Sequence, residues 1–197
     1  MPDHRKKAFA VLLGFWIAAL APAITTAEPE PGESFAKRLS VEVQAHRRLV
    51  EVMDRAGHVP VPFTTDGCSG GLSMAWDLIA DILPAFARTH QGRPPWEACC
   101  VTHDRAYHVA GGARAARESY RARFAADEAL RECVLATGVR RTPYLSQTYG
   151  LHERHIAGAY GLIANAMFDA VRLGGGPCTG LPWRWGYGYP GCFPGKR

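Results

Sequence analysis

The chain has 197 residues, with 23 Lys and Arg against 18 Asp and Glu, for a formal charge of +5. That length supports one domain with a modest core. The positive excess is small and scattered, which argues against a nucleic-acid binder while remaining compatible with an anionic membrane surface.

The first 27 residues read as a segment apart. Arg5, Lys6 and Lys7 precede an apolar run from Ala8 to Ala21, and Thr25-Thr26-Ala27 places small residues just before Glu28. Charged, apolar and then small is the order of a cleaved secretory signal. The competing reading is a retained anchor, since the run lies near the lower limit for a bilayer span. The expectation is cleavage after Ala27, export to a periplasm or the exterior, and one domain over residues 28–197. Without residues 1–27, which hold three Lys or Arg and one Asp, the charge falls to +3. All six cysteines (Cys68, Cys99, Cys100, Cys133, Cys178 and Cys192) lie beyond the leader. An even count behind a signal predicts three disulfides and leaves their pairing open.

Residues 28–34 form a polar, Pro-containing entry. Phe35, Leu39, Val43, Leu49, Val50 and Met53 then recur at helical spacing, predicting a helix to Ala56 with Gly57 as its stop. The stretch HVPVPFTTDGCSGGLS is a loop by its prolines and glycines. Met74 to Leu83 reads as a short apolar helix broken at Pro84. Pro94-Pro95 opens a helix from about Trp96 to Ala110, stopped by Gly111-Gly112. A further helix is predicted over Ala113 to Thr137, ended by Gly138. Another is predicted from Thr142-Pro143 through Tyr160, Ile163, Met167 and Val171 to Gly174. The tail PCTGLPWRWGYGYPGCFPGKR is irregular and stapled by Cys178–Cys192. No strand pattern or repeat appears, so the fold class is all-α with cysteine-tied loops.

CCVTHDRAY lies within the helix opened by Pro94-Pro95. Residues three or four apart share a helix face, so Cys99, His103 and Tyr107 form one stripe and Cys100 and Asp104 its neighbour. If Cys99 bonds Cys133, the glycine turn makes their helices antiparallel neighbours. His103 then lies about 6 Å past Cys99, and Asp127 about 9 Å before Cys133, at the helical rise. Both displacements point the same way, which brings His103 and Asp127 to one level. A carboxylate there can hold one imidazole nitrogen and leave the other as a base. If Cys100 bonds Cys68, the loop Asp66-Gly67-Cys68-Ser69-Gly70-Gly71 lies beside Asp104. Glycines let backbone carbonyls turn inward, and a hard cation such as Ca²⁺ takes carbonyl and carboxylate oxygens.

These residues resemble the secreted phospholipase A2 family. CCVTHDRAY is similar to its active-site helix, DGCSGG to its calcium loop in the bacterial form, and DEALREC to its second helix, where Asp precedes Cys by six residues. The resemblance covers about Thr65–Thr137. It implies a phospholipase A2-like fold with Cys68–Cys100 and Cys99–Cys133 bonded. It implies His103 as base, Asp127 as the orienting carboxylate, Tyr107 as its hydrogen-bonding support and Asp104 as a bidentate ligand to Ca²⁺. The candidate partners of Asp104 are the carbonyls of Gly67, Ser69 and Gly71, with Asp66 as a substitute. The implied activity is calcium-dependent hydrolysis of the sn-2 ester of glycerophospholipids at a membrane or micelle surface, with no obligate protein partner. Two departures stand out. Ala106 and Ala126 replace a cysteine pair of the family, and the calcium loop is the short form.

Other readings compete. Cys99, Cys100, His103 and His108 are a mixed zinc set on paper, although adjacent cysteines fit zinc spacing poorly. Gly67 to Gly71 satisfies G-x-S-x-G, which would make Ser69 an esterase nucleophile only after a strand. A non-catalytic binding module on the same scaffold is the third. His152 and His155 read as surface residues, and Arg114, Arg117, Arg121 and Arg123 as a solvated face. Trp183, Trp185, Tyr187 and Tyr189 read either as a membrane-interface belt or as aromatics packed on the helices.

Overall fold

A computed structural model describes residues 31–68 and 93–193. Four α-helices carry them: α1 (Pro31–Arg55), α2 (Glu97–His108), α3 (Ala116–Tyr149) and α4 (Glu153–Gly174), with a 3-10 turn at Ala110–Gly112 between α2 and α3. No strand occurs among the described residues. The leader with its Ala27 site, the Met74–Leu83 helix, and Ser69, Gly70 and Gly71 lie outside them.

The three disulfides are Cys68–Cys100, Cys99–Cys133 and Cys178–Cys192. Cysteines bonded in this way are unavailable as thiolate ligands, which removes the zinc reading of Cys99 and Cys100. Cys99 on α2 meets Cys133 on α3, His103 meets Asp127, and Tyr107 meets Arg123. Advancing along α2 thus retreats along α3, so the two helices run antiparallel.

α1 ends as its glycine predicts. Gly57 is left-handed at φ 60°, and its N–H donates to the Asp54 carbonyl at 3.0 Å while His58 N–H donates to Met53. These bonds satisfy carbonyls that the helix end would leave open. The inward face of α1 carries Leu49, Val52 and Met53, packed with Tyr107, Ala110, Trp185 and Tyr189. Burying each of the larger apolar side chains contributes about 1.5–3 kcal/mol.

The predicted stop at Gly138 is wrong, and so is the start of a new helix at Thr142-Pro143. α3 continues unbroken to Tyr149 with Pro143 inside it. Gly138 is a packing glycine: a Cβ there would lie 2.5 Å from the Tyr160 ring, so its absence lets α4 approach α3. Pro143 cannot donate to the carbonyl four residues back. The adjacent Thr142 hydroxyl donates to the Gly138 carbonyl at 2.8 Å, supporting the helix at that turn. The true end is Gly150, left-handed at φ 64°, followed by His152, whose ring accepts from Arg154 N–H to cap α4. Ile156, Tyr160 and Ala164 of α4 then close a core with Trp96, Leu130, Val134 and Leu145.

The tail wraps back onto the helices. Trp185 is wholly buried and Tyr189 nearly so, whereas Trp183 is 38% exposed, so the packed reading holds for the first two. His152 and His155 are exposed as expected. Among the described residues no helix is long and apolar enough to cross a membrane.

Candidate active site

Antiparallel packing of α2 on α3 brings the predicted pair together. His103 Nε2 lies 3.0 Å from Asp127 Oδ1, with Asp127 fully buried and His103 7% exposed. Tyr107, one turn beyond His103, donates its hydroxyl to the same Oδ1 at 2.7 Å. Its ring stacks at 4.1 Å from the imidazole. Burial, and after it the Asp127 charge, raise the Tyr107 pKa, so this hydroxyl remains a donor. Gly175 presses on it: a Cβ there would sit 2.7 Å from the phenol oxygen.

Nε2 is committed to Asp127, which leaves Nδ1 as the open nitrogen. Asp104 Oδ1 lies 3.9 Å from Nδ1, beyond hydrogen-bond reach but close enough for charge attraction. Burial of the ring works against its protonation. The neighbouring carboxylates of Asp104 and Asp127 outweigh that and raise the His103 pKa.

Asp104 faces a cleft of about 220 Å³ whose described lining is Thr64, Thr65, Asp66, Asp104, Pro182, Trp183 and Tyr187. His103 is not among its described lining residues and meets it through Asp104, 3.9 Å from Nδ1. The Cys68–Cys100 bond holds the loop here, and Thr65 Oγ1 donates to Asp104 Oδ2 at 2.5 Å while accepting from Gly67 N–H at 3.0 Å. Gly67 is left-handed at φ 69°, a turn that glycine makes at little cost. Tyr187 anchors the opposite wall by donating to the Thr64 carbonyl at 2.8 Å. Burial, with the charges of Asp104 and Asp66, pushes its pKa to about 12.

The cleft therefore offers two carboxylates and oxygen donors, and among the described residues neither carboxylate forms an ion pair with Lys or Arg. An all-oxygen anionic set suits a hard cation. No group of three or more His, Cys, Asp or Glu that could hold a metal occurs among the described residues. Asp66, Gly67 and Asp104 come together, whereas Ser69 and Gly71 lie outside the described residues.

No family model, curated protein or solved structure matches the chain.

Sequence reasoning missed a second layer behind Asp127. Arg123 is not part of a solvated face: it is 1% exposed and lies one turn before Asp127 on α3. The four-residue spacing was the available signal, since it puts both on one face. Arg123 Nε donates to the Tyr107 hydroxyl at 3.3 Å, and its Nη2 donates to the carbonyls of Val171 and Arg172 at 2.7 and 2.9 Å. Arg172 of α4 donates to Asp127 Oδ2 at 3.0 Å, and both arginines bond Glu42 of α1. Beside them His46 Nδ1 pairs with Ser119 Oγ at 2.8 Å, and Trp185 Nε1 donates to the same oxygen at 2.9 Å. Glu42 Oε1 lies 3.8 Å from His46 Nε2, beyond hydrogen-bond reach, and Ser119 and His46 are wholly buried, so this row is a packing network with no substrate access.

The second layer makes stability sensitive to acid. Burial opposes the charge on Glu42, but His46, Arg172 and Arg123 together lower its pKa from 4.5 to about 2. A carboxylate with a depressed folded pKa contributes stability above its unfolded pKa and loses it as pH falls toward the folded one. The contribution of Glu42 should therefore disappear between pH 4.5 and about 2. Allowing for a side chain one-quarter exposed, it amounts to about 2 kcal/mol. Burial lowers the His46 pKa below 6.5, so this histidine adds a loss in the same direction as pH falls below 6.5. Denaturant unfolding from pH 7 to pH 2.5 should show Glu42→Gln converging on the parent at the acid end. A constant gap across that range would contradict the assignment.

Proposed function

We propose that the protein is an exported, calcium-dependent phospholipase A2-like hydrolase. It cleaves the sn-2 ester of glycerophospholipids at a lipid surface to a lysophospholipid and a fatty acid. The observation that carries this reading is the buried His103–Asp127 pair at 3.0 Å, with the open imidazole nitrogen turned toward the Asp104 edge of an acidic cleft. The antiparallel, disulfide-linked α2 and α3 provide the frame that the family resemblance implies, and three disulfides support an oxidising compartment.

His103 Nδ1 takes a proton from water as the water oxygen attacks the ester carbonyl, without an acyl-enzyme. Asp127 balances the imidazolium that forms, and Tyr107 and Arg172 keep the carboxylate in place. His103 then returns the proton to the departing alkoxide, so ester and water become acid and alcohol. Asp104 would hold calcium together with carbonyls of the 66–71 loop, or with Asp66 in place of one of them, and the ion would supply positive charge for the phosphate and the oxyanion. The serine-esterase alternative gains no support, since residues 59–66 ahead of Ser69 contain no strand.

Asp104→Asn tests the cation assignment. Calcium affinity by calorimetry and fatty-acid release should fall together, by more than the ~10–100-fold that loss of a supporting residue costs. Release that continues undiminished in a chelator would overturn the reading.

A further inference from the structure

Asp127 has two oxygens with different duties. Oδ1 accepts from His103 Nε2 and Tyr107, whereas Oδ2 accepts from Arg172 Nη1 at 3.0 Å. Rotation about the last aspartate torsion is soft, so donors on one oxygen alone leave the carboxylate plane weakly fixed. Arg172 would itself be a poor clamp if it hung free. Its other nitrogen, Nη2, donates to both Glu42 oxygens at 3.0 and 3.2 Å. Arg123 holds the backbone beneath it through the Val171 and Arg172 carbonyls. The guanidinium is thus a planar fork with one arm on Glu42 of α1 and the other on Asp127 of α3. Two acids and two arginines leave this largely buried layer electrically balanced, as charges withdrawn from water require.

We propose that Arg172, anchored by Glu42, is a positioning residue for the catalytic base: it fixes the Asp127 carboxylate so that Oδ1 holds His103 Nε2–H and Nδ1 stays bare toward the cleft. The kinetic arm of this proposal rests on the hydrolase reading, and the spectroscopic arm does not. A bridge that merely tied α1 and α4 to α3 would lower stability without touching the imidazole.

The test compares Arg172→Met, Arg172→Lys and Glu42→Gln in the full chain. One readout is fatty-acid release from phosphatidylglycerol vesicles with calcium. The other is the ring nitrogen resonances of His103. The parent should show one tautomer, protonated at Nε2. Arg172→Met should mix the tautomers and lower kcat by ~10–100-fold, leaving KM within about twofold. Arg172→Lys restores a donor to Oδ2 without the fork, so it should recover part of both signals. Glu42→Gln should move them the same way by less. If Arg172→Met does not fold, the other two variants decide. Folded variants with the parent's tautomer, or with the parent's kcat and only a lower melting temperature, would overturn the proposal. A parent chain that releases no fatty acid would sink the hydrolase reading, and the tautomer comparison would still judge Arg172.

Discussion

His103→Gln is expected to lower fatty-acid release by about 100- to 10,000-fold, the range that a positioned general base supplies. Glutamine has nearly the reach of the imidazole and carries an N–H that can donate to Asp127 Oδ1. The buried carboxylate therefore keeps its partner count, with Tyr107 and Arg172 unchanged. What disappears is a nitrogen able to take a proton near neutral pH. The variant should unfold at nearly the parent's denaturant midpoint and bind calcium with little change, because Asp104 and the loop oxygens are untouched. Activity lost with fold and calcium affinity retained is the signature of a base. Activity retained would show that His103 is a packing residue.

Asp127→Ala should produce the largest stability loss of any single change in the site, about 3–5 kcal/mol. Alanine strands His103 Nε2–H, the Tyr107 hydroxyl and one arm of Arg172, all of which now end on this carboxylate. It also leaves the buried Arg123 and the half-buried Arg172 guanidinium groups facing one acid, Glu42. An orphaned buried charge costs far more than the pair contributed, because neither water nor a countercharge can replace the partner. The denaturant midpoint should fall with the slope little changed, since the same surface is exposed on unfolding. Hydrolysis should fall as well, even under conditions where the variant is fully folded. A loss below about 1 kcal/mol would mean that the layer is hydrated and screened like a surface pair.

The site was legible where spacing within a helix could be added to a covalent link. A cysteine one turn before His103 and another six residues after Asp127 determine their common level once the helices run antiparallel, and the 3.0 Å contact agrees. What escaped was long-range. Nothing near Glu42 or Arg172 in sequence points to Asp127, because the residues that meet there come from α1, α3 and α4. Arg123 was lost among three neighbouring arginines, although its four-residue spacing from Asp127 carried the information. Gly138 misled for a different reason. A glycine that ends a helix and a glycine that admits a neighbouring ring look alike until the partner, Tyr160, is known. The cysteine spacing of the tail indicates a stapled loop, whereas its contribution of Pro182, Trp183 and Tyr187 to the cleft wall has no local signal at all.

In the proposed reaction, water activated by the imidazole that Asp127 holds hydrolyses the middle ester of a phospholipid beside a bound cation. The most direct measurement follows vesicles whose phospholipid carries a labelled acyl chain at the sn-2 position only, in calcium, in chelator, and after treatment with a serine-directed acylating reagent. Labelled fatty acid is expected in calcium, none in chelator, and no effect of the reagent. Release that ignores the chelator and stops with the reagent would contradict it.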